Sequence, residues 1–228
     1  MARSGVLLFA ACDGAFHDQF GRAFILSAIT SGNRVHLHLI NPAPDTHRVD
    51  HPAVTYSEEA GAPVNRAWYA ACRFMRAPLV YRSQPQPHDR LVILDADSIV
   101  RRRLDPPHVP VGLFLRDTTG RAPEAVEHSR VMAGLALMGP GGEIFFDALA
   151  RRLGAATTWD WYVDQLALAQ TVDALAGRVA IHDFGQDPGW MDWTFSPDSA
   201  VWTAKGPRKF EDPTYLAELA RWSEPATN

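Results

Sequence analysis

The opening segment of this chain alternates between two kinds of periodicity, and that restricts the folds open to it. GVLLFAA, residues 5–11, is a continuous apolar run of strand length, as a strand covered on both faces requires. Phe16, Phe20, Phe24 and Ala28 then recur every fourth residue as far as Gly32-Asn33, which gives a helix with one apolar stripe and a stop signal. RVHLHLINP, residues 34–42, sets Val35, Leu37 and Leu39 against His36, His38 and Ile40 and ends at Asn41-Pro42, the signature of a second strand. His36 and His38 share one strand face and are expected at solvent. Strand, helix and strand in this order make a βαβ unit, which commits the chain to a parallel sheet with helices packed on it.

The pattern continues. AVTYS (53–57) reads as a short strand, and PVNRAWYAACRFMRAPLVYR (63–82) as a helix with Pro63 at its start. RLVILDADSIV (90–100) gives a strand, a turn and a second short strand. VGLFLR (111–116), SRVMAGLALMGP (129–140) and RVAIHDF (178–184) read as further strands. GEIFFDALARRLG (142–154), DWYVDQLALAQTVDALAG (160–177) and EDPTYLAELARW (211–222) read as helices. The expectation is a single α/β domain over residues 1–228, Rossmann-like, with a mostly parallel central sheet flanked by helices.

Composition narrows the function classes. The net charge is −4 with scattered arginines, without the concentrated basic face of a nucleic-acid binder. GVLLFAAC (5–12) is too short to span a bilayer, and AACDGAF lacks a convincing small-x-small cleavage site. Cys12 and Cys72 lie in apolar segments, so they read as buried thiols of a reducing compartment, and a cytoplasmic location is expected.

The chemistry concentrates in LVILDADSIV. Asp95 and Asp97 are one position apart at the end of an apolar strand, on the same side of an extended chain. Carboxylates this close repel unless positive charge lies between them. A hard divalent cation that also binds a substrate pyrophosphate would supply it; so would ordinary partners at a strand end. Asp13 follows the first strand, and ligands of such sheets bind beyond the carboxyl ends of strands.

Taken in order along the chain, these segments resemble the GT-A fold, specifically the family 8 glycosyltransferases. LLFAACDGAF resembles that family's first strand and nucleotide-binding turn, with Asp13 and Phe16 at matching places. RFMRAP resembles its arginine-bearing helix, with Arg73 the better match and Arg76 a rival. LVILDADSIV resembles its metal motif, and VMAGLALMGP its N-A-G strand. Asp164-Gln165 matches the Asp-Gln pair on a following helix, and TAKGPRKF resembles H-x-x-G-x-x-K-P-W with Gly206 and Lys209 in register. Residues 1–104 then correspond to the nucleotide-binding half and 105–228 to the half that holds donor sugar and acceptor.

The resemblance implies transfer of a sugar, with retention of configuration, from a nucleotide sugar such as a UDP-sugar to a hydroxyl of a glycan, lipid-linked or small-molecule acceptor. It implies Mn²⁺ or Mg²⁺ on Asp95 and Asp97, with Asp95 also at the ribose and Lys209 and Gly206 at the phosphates. Arg73 would meet a phosphate or the sugar; Asp164 and Gln165 would align the sugar. Phe16 either stacks on the base or packs in the core, and Asp13 either bonds the base or caps the first helix. Trp190, Trp193 and Trp202 either wall the acceptor or pack under a loop.

The chain departs from the family pattern. Thr203 stands where the family has its metal-binding histidine, Met132 where it has the asparagine of N-A-G, Ala71 where an aromatic is expected, and Phe210 where Pro-Trp would follow Lys209. Three other readings stay open. One is a silent nucleotide-sugar or glycan binder. Another is a nucleotidyltransferase, although AACDGAFHDQ lacks its basic glycine-rich loop. The third is a haloacid-dehalogenase-type phosphatase, although its nucleophile belongs on the first strand.

Overall fold

Seven strands form the main sheet of the computed structural model, which describes residues 5–83, 88–119, 127–187 and 189–223. Its strands are β1 (Val6–Asp13), β2 (Arg34–Ile40), β3 (Val54–Glu59), β4 (Arg90–Leu94), β6 (Val111–Leu115), β7 (Val131–Met138) and β8 (Ile181–Asp183). Their order is β3-β2-β1-β4-β7-β6-β8. β2 with β3, β1 with β4 and β6 with β8 are parallel, and β7 is antiparallel to both its neighbours. A smaller sheet joins β5 (Ser98–Val100), β10 (Val201–Thr203) and β9 (Met191–Asp192). The helices are α1 (Arg22–Thr30), α2 (Arg66–Ser83), α3 (Glu143–Gly154), α4 (Val163–Ala174) and α5 (Pro213–Ser223). This is the mixed α/β architecture with a mostly parallel central sheet that the periodicity implies. None of the helices among the described residues is long and apolar enough to cross a membrane.

Contacts divide the chain into two compact units, each built from three separate stretches. The first comprises Met1–Phe9, Pro63–Leu94 and Pro106–Asp187; the second comprises Ala10–Ala62, Asp95–Asp105 and Pro188–Asn228. In the first unit, every residue of β7 is buried, which explains an unbroken apolar run with no polar alternation. Leu7, Phe74, Ile93, Val111, Phe145 and Leu149 belong to its core. α2 begins at Arg66, later than Pro63 suggests, because Asn65 is the better cap. Its Oδ1 accepts from the Ala67 N–H at 2.8 Å and the Trp68 N–H at 3.1 Å, satisfying donors that a helix start leaves unpaired.

In the second unit, Asp13 ends β1 and a short helical turn (Gly14–Phe16) follows, then a π-helical turn (His17–Gly21) that runs into α1. Phe20, Phe24 and Ala28 of the predicted stripe are buried. The expectation that His36 and His38 face solvent is overturned: both are buried, at 3% and 5% exposure. The parallel register sets His36 beside Thr55 and His38 beside Ser57. His36 Nδ1 lies 2.8 Å from Thr55 Oγ1, His36 Nε2 2.8 Å from Ser57 Oγ, and His38 Nδ1 2.7 Å from Ser57 Oγ. Hydroxyls on the neighbouring strand replace water at three of the four ring nitrogens, and His38 Nε2 faces Glu59 Oε2 at 3.4 Å.

The junction between β6 and β7 is built on glycine. Gly139 N–H donates to Pro110 O at 2.9 Å, and a Cβ on Gly139 would lie 2.2 Å from Val109 O. Backbone must therefore shift to admit any side chain. Gly139→Ala is expected to cost about 1–3 kcal/mol, lowering the thermal midpoint by roughly 2–4 °C per kcal/mol. A midpoint equal to the parent's would contradict this packing.

Candidate functional site

The aspartates sit in a turn that leaves β4 and enters β5. Ser98 N–H closes it on Asp95 O at 3.1 Å. Asp97 is 4% exposed, and a carboxylate that far from water needs a partner. Lys209 provides one, its Nζ donating to Asp97 Oδ2. Lys205 Nζ donates to Asp95 Oδ2 at 3.3 Å. Tyr215, fully buried on α5, donates its hydroxyl to Asp97 O at 2.7 Å, so the closing helix holds the backbone of the turn.

The Lys209 ammonium is confined on a second side by aromatic faces. Its Nζ lies 5.2 Å from the Phe16 ring centroid and 5.7 Å from that of Phe20, within cation–π range. The two rings are themselves 4.7 Å apart. Half-buried Phe16 therefore packs on the core of this unit and also faces the lysine. Asp13 accepts the Phe16 N–H at 2.7 Å, which is the capping role. Gly206 has φ +60, and among the described residues no atom lies within 4 Å of where its Cβ would be; the chain turns there with open space beside it. Trp202 is packing: its Nε1 donates to Ser196 O at 2.7 Å and its ring lies 5.5 Å from that of Phe195.

Burial pushes the Asp97 carboxyl above the usual carboxylate range; Lys209 pulls it down and Asp95 pushes it up. Burial, with Asp97 nearby, raises the Tyr215 phenol, which stays protonated as a donor. Asp97 Oδ1 and the hydroxyls of Ser98 and Thr203 are buried without a hydrogen-bond partner among the described residues. Thr203 and Ser98 lie directly opposite one another in the β10–β5 ladder.

A divalent cation such as Mn²⁺ or Mg²⁺ requires several hard oxygen ligands in a near-octahedral set. The residues present do not make the set the resemblance implies. Each carboxylate already carries an ammonium, and the place of the third ligand is held by neutral, buried Thr203.

The first unit holds the other group of expected residues. Arg73 on α2 is 4% exposed. It donates to Ala70 O at 2.5 Å, to Ala133 O at 3.0 Å and to Asp164 Oδ2 at 3.3 Å. Asp164, buried in the first turn of α4, also accepts the Gln165 N–H at 2.8 Å. With its amide nitrogen turned towards β7, Gln165 donates to His128 O and Val131 O, each at 3.1 Å. Arg76 is half-buried and Met132 is buried in β7. The residue before α4, Tyr162, has φ 77, a left-handed conformation that costs a non-glycine residue free energy. Exposed Trp161 precedes it.

The structure thus gathers Asp13, Phe16, Asp95, Asp97, Gly206 and Lys209 in the second unit, and Arg73, Asp164 and Gln165 in the first. Sequence reasoning missed Lys205 and Tyr215. Lys205 adjoins Gly206 in TAKGPRK and could have been weighed as a second cation; nothing in EDPTYLAEL signals that a tyrosine hydroxyl reaches the acidic turn.

No protein-family model and no curated protein matches the sequence. Among solved structures, the galactosyltransferase LgtC in complex with donor and acceptor sugar analogues is similar to this chain, with TM-score 0.60 and 14% identity. The similarity covers 96% of this chain and 95% of LgtC. The fold is that of a GT-A glycosyltransferase.

A carboxyl whose folded pKa exceeds its unfolded value contributes relative stability below the unfolded value and loses it as pH rises through the folded one. Removing Lys209 raises the folded value of Asp97 further. The stability deficit of Lys209→Met is therefore expected to widen as pH rises above the ordinary carboxylate range, between the raised folded value of Asp97 in the parent and its still higher value in the variant, measured as the midpoint difference from the parent across a pH series. A deficit independent of pH would mean that Lys209 does not neutralise Asp97.

Proposed function

We propose that this chain is a glycosyltransferase that moves a sugar from a nucleotide-sugar donor, a UDP-sugar in the first instance, to an acceptor hydroxyl. The observation that carries the reading is the Asp95–Asp97 turn with Lys205 and Lys209 closed over it, on a chain with the GT-A fold. Two carboxylates and two ammoniums leave the turn near neutrality. Each ammonium has three N–H donors and spends one on a carboxylate, so both keep donors for phosphate oxygens.

In the reaction, the bond between the anomeric carbon and the β-phosphate oxygen breaks, and the electron pair leaves on that oxygen. The acceptor oxygen bonds to the same carbon, and its proton goes to a phosphate oxygen. Negative charge therefore grows on the nucleoside diphosphate, and preorganised cations facing it lower the barrier. We assign that role to Lys209 and Lys205. Phe16 would stack on the base, and Asp95 would meet the ribose. Retention of configuration and a UDP donor follow from the family resemblance. Buried thiols at Cys12 and Cys72 suit a cytoplasmic enzyme; the acceptor is a glycan, a lipid-linked saccharide or a small molecule.

The test is to incubate the protein with a panel of nucleotide sugars, with and without Mn²⁺, against pooled glycan and small hydroxyl acceptors, following nucleoside diphosphate release and the mass of the product. One donor is expected to turn over, with activity falling about 10²-fold or more in Lys209→Met and the α-anomer appearing by NMR. Nucleotide binding without turnover would favour the silent binder, for which buried Met132 in place of a sugar-contacting asparagine is the supporting observation. Release of phosphate from phosphomonoesters would instead point to the phosphatase.

A further inference from the structure

We propose that the positive charge at the donor site is built into the protein: Lys205 and Lys209 take the place of a divalent cation, and donor binding is independent of metal. This inference rests on the reading of the acidic turn as a nucleotide-sugar site.

Lys209 is a fixed cation. Its side chain is 19% exposed, and a carboxylate on one side and the Phe16 and Phe20 rings on another define where its charge sits. A dication bound to Asp97 would have to share that carboxylate with the ammonium, and like charges at such range repel strongly away from bulk water. Lys205 is the second cation and the more available one, at 38% side-chain exposure on Asp95. It precedes Gly206, whose left-handed φ and lack of a side chain leave room for a ligand to approach the backbone.

Thr203 completes the case. At the position where a histidine would hold a metal, the chain has a fully buried hydroxyl that brings no charge. Two positions later it has a lysine. The substitution and the added cation compensate one another: the charge lost with a metal returns as an ammonium on the same stretch, Thr203–Lys209. Buried Asp97 Oδ1, which accepts no hydrogen bond from the described residues, is left for a hydroxyl of the bound nucleotide.

The experiment is calorimetric titration of UDP, GDP, ADP, CDP and TDP into the full chain, first with EDTA and then with excess Mn²⁺. The proposal expects one diphosphate to bind with the same Kd, within about threefold, in both conditions. It also expects Lys205→Met to weaken that binding by about tenfold or more, the loss of one charge-assisted hydrogen bond, with an unchanged thermal midpoint because the side chain is partly exposed. Binding that appears only with Mn²⁺ would overturn the inference and leave the transferase reading standing. A Kd unchanged in Lys205→Met would overturn the role of that lysine. Failure of every diphosphate to bind in either condition would remove the nucleotide-sugar reading and this inference with it.

Discussion

The organising constraint of the second unit is the cost of placing the Asp97 carboxylate almost out of water. An isolated buried charge is prohibitive, so the chain must bring a cation to it and keep it there. Lys209, distant in sequence, does so from a short helical turn, and Phe16 and Phe20 limit where its ammonium can go. Tyr215 fixes the other end of the problem by bonding the Asp97 carbonyl. Two segments far from it in sequence, residues 16–20 and 209–215, are thereby tied to one turn. Breaking one partner of such a set costs more than the set is worth against an apolar core, so its presence points to a use other than stability.

The first unit solves a similar problem with different residues. Buried Arg73 spreads its guanidinium over two backbone carbonyls and the Asp164 carboxylate, the planar multi-donor arrangement that lysine cannot reproduce. Asp164 in turn anchors the start of α4, immediately after the strained Tyr162. Strain and buried charge at one helix start are features that persist where the surrounding structure over-determines them.

Much of the architecture was legible because it rests on periodicity. The apolar run of β1, the fourfold stripe of Phe20, Phe24 and Ala28, and the unbroken apolar β7 each state their burial in the sequence. The order of weak motifs then pointed to the GT-A fold, although none would do so alone. The errors share one cause, which is that side-chain partners are set by tertiary register. His36 and His38 read as a polar face, yet Thr55, Ser57 and Glu59 lie beside them on β3 and take the place of water. Pro63 read as a helix start, yet Asn65 had the side chain to cap it. Lys205 was overlooked because family logic directs attention to Lys209, and Tyr215 because a buried hydroxyl's partner depends on chain crossing that no local pattern encodes.

The central claim is that this acidic turn with its lysines is a nucleotide-sugar site, and thermal unfolding against a nucleotide panel tests it most directly. A ligand bound only by the folded state at a hundred times its Kd stabilises by about 2.7 kcal/mol, which for a chain of this size raises the midpoint by roughly 5–10 °C. The account predicts such a shift for one nucleoside diphosphate or its sugar conjugate, and its loss in Lys209→Met. A midpoint unmoved by every nucleotide would contradict it.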